Sequence, residues 1–307
     1  MKLLKKLTAI QGASSDEATI SKFILNYIHK NSSSWKVQPI IFAGNKFQDN
    51  IIIVFGKPRT AIYAHIDSIG FTVSYENQLI KIGGPDVEDD ITLVGKDSQG
   101  KIETQLMIIE HENERTIYKC IYDRIIDRGT ILTYKPNFRE TQTTVQSPYL
   151  DNRLGVWSAL KVAESLENGV IVFSTYEEHG GNSVGFCANF LAEKFSIRQA
   201  LISDITWVTE HILPGHGVVI SMRDSSIPRR KYLNKIIQLA KKSKIDFQLE
   251  VESSGGSDGT TLQRSDLLID WCFIGAAEDN VHTPNEIVSK YDILCMVQIY
   301  QYLMKKL

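Results

Sequence analysis

The sequence predicts an α/β protein in which a mostly parallel sheet is covered by helices and interrupted by an inserted small β-rich domain. Three observations predict it. Apolar runs of strand length recur, such as Ile51-Ile52-Ile53-Val54-Phe55, and the stretch between Gly169 and Gly180 has the texture of a strand buried on both faces. Segments with helical spacing alternate with these runs, as expected where helices cover a parallel sheet. Between Ser74 and Ser147 the texture changes to short β-prone runs with no helical period between them.

At the start of the chain, Leu3, Leu4 and Leu7 and then Ile20, Phe23, Ile24 and Ile28 recur at helical spacing. They predict two helices, with Ser14-Ser15-Asp16-Glu17 supplying N-cap candidates between them. Residues 51–55 and Ala61-Ile62-Tyr63-Ala64 are strands separated by a turn at Gly56-Lys57-Pro58, and the second ends in His65-Ile66-Asp67-Ser68-Ile69-Gly70. The insert, residues 74–147, contains β-runs at 91–94, 105–109 and 116–118. Turns at Asp97-Ser98-Gln99-Gly100 and His111-Glu112-Asn113-Glu114 separate them. The α/β texture, residues 1–73 and 148–307 together, resumes at Leu150-Asp151-Asn152-Arg153. A helix to about Leu166 leads there into the strand that ends in Glu177-Glu178-His179-Gly180-Gly181.

Ala200-Leu201-Ile202-Ser203-Asp204 repeats the pattern of an apolar strand whose end carries a carboxylate. A strand at 218–220, a helix at about 231–242 and a strand at 247–251 continue the alternation. A tight loop follows at Ser253-Ser254-Gly255-Gly256-Ser257-Asp258-Gly259. A last strand covers 267–269 and 271–274, and Val281-His282-Thr283-Pro284-Asn285-Glu286 opens the C-terminal helix.

Composition bounds the function. With 307 residues, 43% of them hydrophobic, the chain can bury a full core as one large domain or two smaller ones. A net charge of -2 gives no basic patch for a nucleic acid or a membrane, and neither partner is expected. Cys120, Cys187, Cys272 and Cys295 are widely spaced in apolar surroundings and form no C-x-x-C pair. They read as free thiols in a reducing, cytoplasmic compartment. Residues 1–7 read as an amphipathic helix rather than a signal peptide, and no apolar run approaches bilayer-spanning length.

The chemistry is expected where strands end. Two adjacent carboxylates at a strand-to-loop edge can diverge, one binding a cation while the other moves a proton. In His65-x-Asp67 the imidazole can bind a metal while a carboxylate fixes its tautomer. Singly, each signal has a plainer reading: a solvated acidic turn for Glu177-Glu178, a structural histidine for His65, a helix-capping Asp for Asp151. Together, His65, Asp151, Glu178, Asp204 and His282 all fall at strand ends or adjoining helix starts. Such a set suits two divalent ions, most readily zinc, with Glu177 left over as a base.

The chain resembles the family of glutamyl aminopeptidases and tetrahedral (TET) aminopeptidases, dinuclear zinc or cobalt metallopeptidases. Six blocks in the family's order carry the resemblance: residues 64–71, 150–153, Glu177-Glu178, 203–206, 255–258 and 282–286. It implies that Asp151 bridges two ions, that His65 and Asp204 complete one site, and that Glu178 and His282 complete the other. Asp67 is then the partner of His65, and Glu177 the general base. It also implies a zinc-aminopeptidase-like catalytic domain interrupted by a dimerisation domain, hence a homo-oligomer. Ser68 stands where the family usually has Glu, Asp279-Asn280 stand where Arg-Tyr is usual, and the insert is shorter than usual.

The expected function is removal of N-terminal residues from peptides by a water shared between two metal ions. The rival readings are a dinuclear amidase or deacylase acting on N-acyl amino acids and a non-catalytic peptide-binding relative. His179 is expected not to be a ligand, since five ligands and a water already fill two sites.

Overall fold

The structure is a computed structural model that describes residues 1–109 and 116–307; the turn expected at residues 111–114 lies outside the described residues. Helices α1 (Lys2–Leu7) and α2 (Ala18–Asn31) open the chain, followed by strands β1 (Ile40–Phe42), β2 (Ile51–Phe55) and β3 (Ala61–His65). Six strands then form one closed antiparallel barrel: β4 (Gly70–Val73), β5 (Gln78–Ile82), β6 (Thr92–Asp97), β7 (Gly100–Ile109), β8 (Ile117–Ile121) and β9 (Ile131–Tyr134). After β10 (Arg139–Glu140) and β11 (Thr144–Gln146) come α3 (Leu150–Ala163), β12 (Gly169–Ser174), α4 (Asn182–Phe195), β13 (Gln199–Trp207) and β14 (Val218–Arg223). The chain ends with α5 (Arg230–Ser243), β15 (Phe247–Val251), α6 (Asp258–Arg264), β16 (Asp270–Asp279), β17 (Ile287–Ser289) and α7 (Lys290–Leu303).

The large sheet has eleven strands, and its centre, β12-β3-β13-β16, is parallel. Antiparallel neighbours flank that centre: β2 beside β12, and β14 and β17 beside β16. The continuous apolar runs are explained by helices on both faces. Ile51, Ile53 and Phe55 of β2 join a core with residues of α1, α2, α3, α5 and α7. Their alternates Ile52 and Val54 join a second core with Val184, Cys187 and Leu191 of α4 and Leu262 of α6. Period-two alternation therefore sends each strand's side chains into two separate cores, which demands apolar residues at every position. The barrel has its own core, including Phe71, Leu93, Leu106 and Leu132.

Several local expectations change. The strands on either side of the Gly56-Lys57-Pro58 turn are not neighbours, because β12 lies between them, antiparallel to one and parallel to the other. Glu17, the last of the four N-cap candidates, does stand at the N-cap of α2, but without a side-chain cap, and the Ser14 hydroxyl goes to Asp67 instead. Residues 267–269 precede β16, which runs on to Asp279. The segment 281–286 does not open the C-terminal helix. It turns into β17, and α7 starts at Lys290 with the Ser289 hydroxyl accepting the Tyr291 N–H as its cap.

Candidate metal centre

Parallel strands present their C-terminal ends on one edge of a sheet, where ligand crevices form. His65 is the last residue of β3, and β12 ends at Ser174, three residues before Glu177. Asp204 is not at the end of β13, which continues to Trp207. It sits where the pairing of β13 with β3 runs out, two residues beyond the Tyr63–Ile202 pair, as His65 does on its own strand. That register brings the two side chains onto one face at one level. His65 Nε2 lies 3.5 Å from Asp204 Oδ1 and 3.2 Å from Asp151 Oδ1.

The other oxygen of Asp151 faces the opposite way. His282 Nε2 is 3.2 Å from Asp151 Oδ2 and 3.3 Å from Glu178 Oε2. His282 occupies a left-handed backbone position, φ 65°, and its Nδ1 lies 3.0 Å from the carbonyl of Gly84, just beyond the barrel strand β5. Gly83 beside it also has positive φ, and a Cβ there would come within 3.1 Å of Glu178 Oε2, so the barrel's connection fits against the cluster only as glycine.

Asp67 is fully buried, with Oδ1 3.5 Å from His65 Nδ1. It accepts the backbone N–H groups of Glu177 and Glu178, both at 3.1 Å, and the Ser14 hydroxyl at 2.6 Å. Burial opposes its ionisation, but His65 and these donors outweigh burial and hold its carboxyl below the usual range. Burial pushes the Glu177 and Glu178 carboxyls well above theirs, reinforced by Asp204 for Glu177 and by Asp151 for Glu178. For His65, burial works against the cation, yet Asp204, Asp151 and Asp67 together raise its pKa well above the ordinary value.

Such an accumulation of buried carboxylates is costly unless cations join it. Asp151 Oδ1 and Glu178 Oε1 are buried and have no hydrogen-bond partner. His65, Asp151 and Glu178 each offer a ligand atom within 4.8 Å of the others. Imidazole nitrogens mixed with carboxylate oxygens form a donor set that zinc and similar divalent ions accept. The residues therefore fit a metal centre.

A sequence model of the family described as M42 glutamyl aminopeptidase matches residues 91–299. The chain belongs to that family. It is accordingly a metal-dependent aminopeptidase, a hydrolase of peptide bonds. A curated relative from Acetivibrio thermocellus is 27% identical over 95% of this chain and 94% of its own length. The aminopeptidase of the archaeon Desulfurococcus kamchatkensis has a similar structure, with a TM-score of 0.85 at 20% identity, covering 100% of this chain and 94% of that one. The Pyrococcus horikoshii TET1 peptidase, described as assembling into a tetrahedron or a large octahedral shell, matches with a TM-score of 0.79 at 21% identity over 99% of this chain and 98% of its own. At those identities the two structures speak for the fold of the aminopeptidase alone.

Three supporting residues escape a sequence reading. Glu286 accepts the N–H groups of Leu150, at 2.5 Å, and Asp151, at 3.2 Å, fixing the backbone that carries the central carboxylate. Arg153 is a fully buried cation whose Nη2 donates to the Ile10 carbonyl. Burial lowers its pKa to about 10, with Asp67 the largest of the influences holding it up. Asp258 accepts the Ser174 hydroxyl at 2.5 Å, and burial raises its carboxyl to about 7. All three lie inside motif blocks of the sequence, residues 150–153, 255–258 and 282–286, but nothing in the sequence shows that they are buried or what they hold. His179 lies exposed, its Nδ1 accepting the Gly83 N–H at 3.2 Å. Ser68 is buried, with its hydroxyl 3.3 Å from the Gly12 carbonyl.

Proposed function

We propose that this aminopeptidase holds two divalent ions, His65 and Asp204 on one side and Glu178 and His282 on the other, with Asp151 shared between them. The observation that carries this is the opposed placement of the Asp151 oxygens, each 3.2 Å from the Nε2 of a different histidine. When bound, ions of this kind, zinc by the donor set or cobalt by the family resemblance, would polarise the scissile carbonyl and acidify the attacking water. Asp67 keeps His65 oriented with Nε2 toward the cluster. Glu177 lines the same cavity but is not needed as a ligand. Its carboxylate takes the proton of the attacking water and returns it to the leaving amine as the C–N bond breaks, so it ends the cycle as it began.

The proposal extends to organisation. The catalytic unit, expected at residues 1–73 and 148–307, also takes in β10 and β11, and the inserted unit, expected at 74–147, is the barrel from β4 to β9, which serves association. The barrel strands and loops expose Tyr75, Ile80, Ile121 and Ile125, apolar side chains suited to contact with another copy. The chain is then a homo-oligomer, at least a dimer. Light scattering that found a monomer at micromolar concentration would refute this. No described helix is long and apolar enough to cross a membrane, and all four cysteines are buried and free, in keeping with action in the cytoplasm.

Purified protein should cleave aminoacyl amides but not their N-acetylated counterparts, with two metal equivalents per chain. Cleavage of blocked substrates alone would make it a deacylase instead.

A further inference from the structure

The cavity that holds the cluster, about 260 Å³, does not end there. Its lining also includes Trp207 and Phe273 and a recess of three carboxylates, Asp224, Glu250 and Glu252, side chains that take no part in the proposed catalysis. Glu250 on β15 and Asp224 just beyond β14 are 4% and 8% exposed, and Glu252 is half-buried. Three carboxylates at such depth ordinarily have cationic partners. Among the described residues none of the three has an ion pair. The nearest cation, Arg223, donates through Nε to the main-chain carbonyl of Asp224 at 3.1 Å rather than to a carboxylate.

Neutral neighbours meet only part of the demand. Asp224 Oδ1 accepts the Ser226 N–H at 2.6 Å, and Glu250 Oε1 accepts the Thr206 hydroxyl. Burial raises both carboxyls; Arg223 offsets only part of this for Asp224, and Glu252 and Asp224 add to it for Glu250. The second, independent sign is Ser221. It is 2% exposed, it lines the same cavity, and its Oγ has no hydrogen-bond partner of ordinary geometry although it lies close to Glu250. The walls are apolar: Ile205 and Phe273 are buried, and Trp207 sits against Gly255, whose φ of +82° brings the loop close to the indole. Apolar walls and hydrogen-bonding, anionic groups in the same cavity as the reacting centre are complementary to a long stem carrying a cation.

We infer that this recess receives the side chain of the substrate's N-terminal residue and selects lysine or arginine, with Glu250, Asp224 and Glu252 meeting the cationic head. The inference rests on the aminopeptidase reading above and adds the substrate class. It runs against the acidic substrate that the family description names, because an N-terminal glutamate would bring a fourth carboxylate into the recess.

The test compares lysyl and norleucyl amides, which differ by one ammonium group, on the metal-loaded enzyme, with glutamyl amide as the opposite charge. Calorimetric binding of free lysine and norleucine is measured alongside. The lysyl substrate should be favoured in kcat/KM by roughly 30-fold or more, the scale of pairing a buried charge, and glutamyl amide should be slowest. Glu250→Gln, and Glu252→Gln as the more exposed change less able to disturb folding, should each reduce the lysyl-to-norleucyl ratio and the lysine-to-norleucine binding ratio. Equal rates, or ratios unchanged in both variants, would overturn the assignment while leaving the aminopeptidase reading intact. Preferential lysine binding without cleavage of any amide would do the reverse, supporting the recess and sinking the activity. Loss of a metal equivalent in Glu250→Gln alone would reassign these carboxylates to a cation and overturn the inference.

Discussion

The two sides of Asp151 are built differently. On one side, His65 and Asp204 stand on adjacent central strands, and the His65 side chain is 2% exposed. Their separation is set by the register of a parallel ladder and backed by the buried Asp67. On the other, Glu178 follows the end of β12, and His282 sits on a turn with its side chain 27% exposed and a barrel-loop carbonyl as its partner. The first side is fixed by the sheet; the second depends on loops and on how the barrel is placed. The lesson is that a centre with pseudo-equivalent halves can have one half preorganised and the other adjustable, and the adjustable half is the one that meets solvent and substrate. Asp67 links them, since its Oδ1 lies 3.5 Å from His65 Nδ1 while it accepts the backbone N–H groups of both glutamates.

The largest effect should come from the residue that belongs to neither half. Glu177→Gln keeps shape and hydrogen bonding but removes the basic oxygen, so turnover should fall by about 10²–10⁴ with both metal equivalents retained. Glu178→Gln weakens a proposed ligand of the adjustable side, so metal content should fall first and excess metal should restore part of the activity. Metal analysis with kinetics on both variants separates them. If Glu177→Gln lost metal while Glu178→Gln kept two equivalents, the roles would be exchanged.

A smaller effect tests the fixed side. Asp67→Asn leaves a neutral partner for His65 and an amide where two backbone N–H groups need acceptors. Metal affinity should fall by about 10–100-fold, the usual consequence of losing such a partner. The weakening should appear at both equivalents, because Asp67 also holds the Glu178 backbone. Competition with a chelator, followed by the metal released, reads this directly. Selective loss of one equivalent would confine Asp67 to the His65 side.

Much of this arrangement was legible in the sequence, for a physical reason. Strands buried on both faces tolerate polar residues only where they emerge, so His65 and Glu177-Glu178 stood out at the ends of apolar runs. The adjustable side was harder to place. His282 was legible as a motif, but its turn depends on a left-handed residue and on β17, a three-residue strand held by β16 and β11, and neither leaves a periodic signal. The recess was not legible at all. Glu250 and Glu252 alternate along and beyond an ordinary strand, and their burial arises only when β15 is laid beside β14 with Thr206 against it.

The smallest effect concerns the charge stored behind the fixed side. Glu17 is 2% exposed, accepts the Tyr176 N–H at 3.3 Å and lies near Asp67. Burial, reinforced by Asp67, raises its carboxyl from an ordinary value of 4.5 to about 7. Below 4.5 both the folded and the unfolded chain hold this proton, and Glu17 adds no pH dependence. Between 4.5 and about 7 the unfolded chain has released it while the folded chain keeps it, so the fold binds more protons and stability falls as pH rises. Above 7 the loss is complete. Glu17→Gln keeps the acceptor for Tyr176 but cannot ionise, so it should escape that loss. In metal-free protein, kept so by chelator at every pH, the variant should melt with the parent near pH 4.5 and above it at pH 8, the gap opening across the window between. A gap of the opposite sign at pH 8 would mean that the ionised carboxylate is stabilised there, with the buried Arg153 the candidate cation, and that the fixed side carries its charge as a paired network rather than as a penalty.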